Sequence, residues 1–397
     1  MLDPASAPRL TGPEAPRTPL IEQLSLADLR AYASLDLAFG PGAHLVWGPN
    51  AAGKTSLLEA MVVLARGGSH RTTTDSELIR WGADVARIEG QAGSGVVDVA
   101  LVRPGSEAAA SGARKRIRVN GVARRAASLA EKLRVVLFAP EDMLLVAGSP
   151  SLRRSTLDQL ATTLVHGYAA ELATYGRALQ QRNSLLRAIR DETASREELR
   201  YWDQPFLDAG GAVVKVRHAL LARLAPPLAA AHAEIAPDEA AAGELGLEYL
   251  TNAPAGPDET ARDALARRLR ETAEKELWNG TTLIGPHRDD VSFVMSGRDL
   301  AAFASRGQQR TAILALKLAE LDLVTGHDGR PPLLLLDDVF SELDPARRAH
   351  LVRRIAELPQ AFVTTTTPAD LDAALREIAT PWEVRAELDG ARVYPGG

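Results

Sequence analysis

Residues 48–55, Gly-Pro-Asn-Ala-Ala-Gly-Lys-Thr, match the G-x-x-x-x-G-K-[ST] pattern of a phosphate-binding loop. The spacing has a chemical reason. Gly48 and Gly53 let the backbone wrap closely enough for its N–H groups to face an anion. Lys54 then reaches the β- and γ-phosphates, and the Thr55 hydroxyl binds Mg²⁺. Residues 43–47 read as a short buried strand entering the loop, and 56–64 as a helix whose N-terminus faces the phosphates. Gly48, Pro49, Asn50, Ala51, Ala52, Gly53, Lys54, Thr55 and Ser56 are therefore the candidate nucleotide ligands. A strand, a glycine loop and a helix in this order point to an α/β fold.

The second half of such a site lies far downstream, at Leu333-Leu334-Leu335-Leu336-Asp337-Asp338. Four apolar residues ending in two acids read as a central parallel strand delivering carboxylates at its C-terminal end. Asp337 is placed to hold Mg²⁺, directly or through water, and Asp338 to polarise the attacking water. A third segment, Ser305-Arg306-Gly307-Gln308-Gln309, opens an amphipathic helix through Leu314, Leu316, Leu318 and Leu321. Free N–H groups and the helix dipole make its start an anion-binding position. Two readings stand side by side. It is a capped helix and nothing more, or it meets the γ-phosphate of a nucleotide held by a second copy.

Composition narrows the rest. A chain of 397 residues accommodates two domains. With no cysteine there is no disulfide framework and no thiolate metal site, which suits a reducing cytoplasm. No apolar run approaches membrane-spanning length; Pro226, Pro227, Glu234, Asp238 and Glu239 break the alanine-rich stretch 224–247. A formal net charge of −5 means that any DNA contact needs a local basic face. The most basic span, 114–134, carries Arg114, Lys115, Arg116, Arg118, Arg124 and Arg125. In a strand, Arg116 and Arg118 would alternate with Ile117 and Val119 and share one face, which suits a phosphate backbone or is simply a solvated strand. No aromatics are interleaved for base stacking.

Residues 1–19, with Pro4, Pro8, Pro13, Pro16 and Pro19, read as a disordered extension without the pattern of a signal peptide. Arg71, in the loop after the P-loop helix, is either solvated or near the nucleotide or DNA. Between 151 and 276 the apolar periodicity turns helical. Pro205, Pro226 and Pro227 interrupt it and no heptads persist, so a compact helical lobe is expected in place of a long coiled coil. Arg153, Arg154, Arg182 and Arg187 read as solvated faces or internal ion pairs before they read as a basic surface. His287, Asp289 and Asp290 invite a metal-site reading, but neighbours in a strand point to opposite faces.

The P-loop, the segment 305–309 and Leu335-Leu336-Asp337-Asp338-Val339-Phe340-Ser341-Glu342-Leu343-Asp344 together resemble the ABC-type ATPase heads of the SMC-like DNA-repair class, and within it the RecF family. Ser69-His70-Arg71, Pro140-Glu141-Asp142, Gln181-Arg182-Asn183, Trp202-Asp203 and Gly285-Pro286-His287-Arg288-Asp289-Asp290 add to the match, which covers nearly everything after about residue 20. The resemblance implies a P-loop ABC-type head over 20–150 and 277–397 with the helical lobe, 151–276, inserted. It implies ATP as the nucleotide, Ser305, Arg306, Gly307, Gln308 and Gln309 as a signature acting in trans, and Ser341, Glu342, Leu343 and Asp344 as a D-loop crossing an ATP-dependent homodimer. It further implies a cytoplasmic protein of the DNA-damage and SOS response. Such a protein binds duplex DNA, single-strand gaps and junctions, and helps RecR and RecO load RecA. Lys54, Asp337 and Asp338 would carry a slow, DNA-stimulated hydrolysis acting as a switch, because aspartate is shorter than the usual glutamate. The chain departs from many such heads in two places. No glutamine stands near 140–142, and Thr364 to Thr367 replace a γ-phosphate-sensing histidine. A transporter ATPase, which needs a membrane partner, and a cohesin-type clamp, which needs long arms, share the motifs and remain as rivals.

Overall fold

The strand Leu333–Asp337 is buried at every position, and so is Gln360–Thr365 beside it. Runs without polar alternation need cover on both faces, the environment of a parallel strand inside a sheet. The computed structural model, which describes residues 20–93, 95–111 and 114–396, has them there. A six-stranded sheet runs in the order Gly390–Pro395, Ala379–Glu387, Gly42–Trp47, Gln360–Thr365, Leu333–Asp337 and Val135–Phe138. All its pairings are parallel except that of Gly390–Pro395, which adds an antiparallel edge. The stretch 1–19, expected to be disordered, lies outside the described residues.

A second six-stranded sheet is wholly antiparallel, in the order Tyr32–Ala38, Gln23–Leu29, Val85–Ala92, Gly95–Val102, Lys115–Val119 and Val122–Ala123. Helix Lys54–Arg66 packs against strands of both sheets. That explains why Leu57, Leu58, Met61, Val62, Val63 and Leu64 are all buried, where a surface helix would show a one-sided stripe. A Cβ on Gly90 would come 2.5 Å from Leu64 Cδ1, so a side chain there would displace the tip of that leucine. These elements form one of the two units into which the chain's contacts divide, Met1–Phe138 with Pro331–Gly397.

The other unit, Ala139–Arg330, is mainly helical. Its longest helix, Arg200–Ile235, packs against Tyr168–Arg190, Ala261–Asn279 and Arg306–Asp328. Of the apolar face expected from the helical period, Leu207, Val213, Leu220 and Leu224 are buried in it and Val216 is half-buried. The prolines do not interrupt the helix as expected: it runs through Pro205, Pro226 and Pro227. Pro205 lies close to the N-terminus. Pro226 and Pro227 deprive the carbonyls of Ala222 and Arg223 of their N–H donors, and both of those residues are exposed, so solvent satisfies them. The helical reading of 151–276 also missed the strand Leu245–Leu250, which pairs antiparallel with Asp290–Met295. Six residues of alternation do not stand out beside a long alanine-rich helix.

Four arginines of this unit are engaged internally. Arg217, 2% exposed, forks onto Asp158 with two bonds of 2.9 Å and donates to the Pro286 carbonyl at 2.7 Å. Arg182, equally buried, joins Asp203, Thr282 and Glu276. Arg153 takes Asp290 with two bonds of 2.7 Å, and Arg154 donates to the Asp289 carbonyl. His287 Nδ1 meets the Tyr175 hydroxyl at 2.5 Å, and Asp289 accepts from Tyr249. Among the described residues no group of three or more His, Cys, Asp or Glu is arranged to hold a metal ion.

Candidate nucleotide site

The strand Gly42–Trp47 ends where the loop begins, and the helix starts at Lys54. Between them the backbone turns through positive φ at Gly48 (153°), Ala51 (63°) and Gly53 (119°). A Cβ on Gly48 would lie 2.2 Å from the carbonyl oxygen of Val384 in the neighbouring strand, so packing demands glycine as much as an anion does. The Tyr32 hydroxyl pins the far end by donating to the Gly53 carbonyl at 3.0 Å. Lys54 Nζ folds back on the loop, donating to the carbonyls of Gly48 (2.6 Å) and Pro49 (2.9 Å). Burial lowers the pKa of this ammonium, while Asp338 and Asp337 pull it upward. An anion held by the loop would offer the same ammonium stronger, charge-assisted acceptors.

The parallel register sets Asp337 beside Thr364. Asp337 Oδ1 accepts from the Thr55 hydroxyl at 3.2 Å and from the Thr364 hydroxyl at 2.7 Å. Thr55 and Asp337 are 282 residues apart in sequence. The sheet order brings them together, as the sequence suggested. Asp338 follows with φ of 53°, the left-handed region for a residue with a side chain. Two hydroxyls hold that turn: Thr364 accepts from the Asp338 amide at 2.9 Å, and Ser341 donates to its carbonyl at 2.9 Å. A threonine hydroxyl and a carboxylate are hard oxygen donors of the kind Mg²⁺ takes, so the residues fit that ion.

One buried acid escaped the sequence reading. Glu59, fully buried on the P-loop helix, receives Arg30 Nε and Nη2 at 2.9 Å each and a hydrogen bond from Ser69, with Arg71 3.9 Å away. Burial pushes its carboxyl up. The bonds from Arg30 and Ser69 and the charges of Arg30 and Arg71 outweigh that and hold it below the usual glutamate range. Ser69 also accepts from the amides of Arg71 and Thr72, so Arg71 projects from a fixed loop. A lone glutamate among the apolar residues of this helix was the available signal.

Ser305 caps helix Arg306–Asp328 through a reciprocal box: its hydroxyl accepts from the Gln308 amide, and Gln308 Oε1 accepts from the Ser305 amide at 2.9 Å. Ser305, Arg306 and Gly307 are exposed, while Gln309 reaches the carbonyls of Leu300 and Ala304. These residues belong to the unit Ala139–Arg330, and the P-loop and acids to the other. Ser341 is exposed and Leu343 buried, and Asp344 caps helix Pro345–Glu357 and pairs with Arg347. The side chain of Glu342 lies outside the described residues. The strand Lys115–Val119 forms with Arg116 and Arg118 exposed and Ile117 and Val119 buried. Arg114, Arg124 and Arg125 are exposed too, whereas Lys115 is taken up by Asp75 at 2.8 Å and the Gly67 carbonyl. Among the described residues no helix is long and apolar enough to cross a membrane.

Residues 20–380 match the family model of the RecF/RecN/SMC N-terminal domain. The DNA replication and repair protein RecF of Chloroflexus aurantiacus is 40% identical over 404 residues, spanning 95% of this chain and 100% of the relative. The chain belongs to the RecF family. RecF of Limosilactobacillus fermentum is 39% identical over 353 residues, 88% of this chain and 92% of its own. The solved structure of the recombination mediator protein RecF with ATP, from the RecFOR pathway, matches with a TM-score of 0.84 at 29% identity, covering 97% of this chain and 99% of that one. An Smc head bound to the C-winged helix domain of ScpA, 15% identical over 96% of this chain and 98% of that one, shares the fold at a TM-score of 0.52. The P-loop α/β architecture is thus that of the ABC-type ATPase heads of RecF and Smc proteins.

Proposed function

We propose that this RecF-family protein is an ATP-dependent, DNA-binding recombination mediator whose dimerisation is driven by ATP. The observation that carries the reading is the meeting of Thr55 and Asp337 beside the P-loop lysine. In this reading the amides of 48–55 cradle the phosphates, and Lys54 exchanges the Gly48 and Pro49 carbonyls for the β- and γ-phosphates. Thr55 and Asp337 would hold Mg²⁺, which neutralises charge on the β- and γ-oxygens when bound. Asp338 orients the attacking water and takes up its proton. Its short side chain reaches less far than glutamate, so hydrolysis is slow and resets a switch.

The exposed start of helix Arg306–Asp328 supports a role in trans: Ser305 and Gly307 of a second copy complete each site, flanked by the D-loop of residues 341–344. Hydrolysis then reopens the dimer. Arg116 and Arg118, with Arg114, Lys115, Arg124 and Arg125, would follow a DNA backbone at gaps and junctions. The RecFOR pathway of the solved relative supports RecR and RecO as partners, and RecA as the recombinase loaded is part of the same proposal. Location in the cytoplasm belongs to the same reading.

Light scattering with and without ATP and Mg²⁺ tests it, on wild type and on Lys54→Met and Ser305→Arg. The expected result is a monomer that dimerises only with ATP, and two variants that stay monomeric. A wild type that hydrolyses ATP yet stays monomeric would overturn the mechanism in trans.

A further inference from the structure

Thr364 lies in the strand Gln360–Thr365 and is fully buried. A threonine hydroxyl has one proton to give and lone pairs to receive. Here both capacities are used, and both on the acid pair. The proton goes to Asp337 Oδ1 at 2.7 Å, and the oxygen accepts from the Asp338 amide at 2.9 Å. The register pairs Thr364 with Asp337 across the two parallel strands, so the contact is built into the sheet and does not depend on a mobile loop.

Two consequences follow from those bonds. Thr55 and Thr364 converge on the same oxygen of Asp337, which fixes the rotation of the carboxylate; Oδ2 has no hydrogen-bond partner among the described residues. The bond to the Asp338 amide holds the peptide at which the backbone enters its left-handed turn. We propose that Thr364 is a positioning residue of this site: through one hydroxyl it aims Asp337 at the metal of the bound nucleotide and sets the turn that presents Asp338. It touches neither nucleotide nor water itself. The inference rests on the Mg²⁺·ATP reading above and adds to it a residue that acts through the two acids.

The test uses the full chain with a non-hydrolysable ATP analogue and Mn²⁺ as the probe metal. Bound Mn²⁺ is followed by paramagnetic resonance, and nucleotide affinity is measured separately without metal. Thr364→Val keeps the shape and removes the hydroxyl, whereas Thr364→Ser keeps the hydroxyl. For Thr364→Val we expect Mn²⁺ affinity to fall about tenfold or more, in the range seen when a ligand's supporting partner is removed. Metal-free nucleotide affinity should be unchanged, and Thr364→Ser should return Mn²⁺ affinity to near wild type. If Thr364→Val binds Mn²⁺ as wild type does, or if serine fails to restore the loss, the positioning role is wrong. A wild type that binds no Mn²⁺ with the analogue would instead overturn the Mg²⁺·ATP reading itself. Thermal melting of each variant in the absence of ligand separates misfolding from weakened metal binding; valine melting as wild type while binding metal less tightly is the supporting result.

Discussion

At Gly48 two demands coincide on one missing side chain. The loop needs a backbone conformation at 153°, and the adjacent strand leaves no room for a Cβ within 2.2 Å of the Val384 carbonyl. Gly48→Ala should therefore do more than thin the phosphate cradle. It must push apart the loop and the strand Ala379–Glu387, and we expect nucleotide affinity to fall at least tenfold. The fall should come with a loss of about 1–3 kcal/mol in stability, the scale of a strained backbone position. Isothermal titration and urea unfolding read the two effects separately. An alanine variant with normal affinity would show that the strand yields. Which single residues matter was partly legible in the sequence. The spacing of Gly48, Gly53, Lys54 and Thr55 announces its own chemistry. Glu59 and Thr364 carry no such pattern, because their roles exist only once a helix face and a strand register are fixed.

At the scale of elements, the sequence pointed to the two strands that build the site, since four leucines before two aspartates leave little choice about burial or direction. It misread the helix Arg200–Ile235 because proline is judged by the bond it removes, and here the orphaned carbonyls face solvent. The turn at Gly285 to Asp290 invites a metal-site reading that strand geometry already weakens, and its His287 and Asp289 are bonded to tyrosines within the protein. His287, bonded to Tyr175, has its pKa lowered to about 4 by burial first and by Arg288, Arg154 and Arg182 beside it. The unfolded chain takes up that proton near pH 6.5. Stability from this group is therefore complete above pH 6.5 and is lost as the pH falls toward 4, by about 2 kcal/mol at pH 5. His287→Asn should flatten that slope in urea titrations at pH 7 and 5. An unchanged slope would mean that the ring is already protonated when folded.

For the whole molecule, the balance of charge is negative, and yet the strand Lys115–Val119 turns arginines outward. Arg116→Glu with Arg118→Glu should weaken binding to duplex DNA and lower the salt slope by about two, one for each phosphate that an arginine no longer neutralises. ATP-driven association should be untouched. Titrations at several salt concentrations beside light scattering check both halves, and an unaltered salt slope would move the DNA elsewhere. The alternation of charge was readable in the sequence, whereas the diversion of Lys115 to Asp75 was not, because that carboxylate comes from a distant turn. Sheet order bears on synthesis as well. Both neighbours of Gly42–Trp47, the strands Gln360–Thr365 and Ala379–Glu387, come from the last part of the sequence. As the chain leaves the ribosome, the phosphate loop emerges early on an unpaired strand, with an apolar helix behind it. The contiguous unit Ala139–Arg330 can fold meanwhile, but the loop's own sheet has to wait for residue 365 to clear the exit. A nascent chain therefore lacks both neighbours of the loop's strand, and Asp337 as well, for most of its translation.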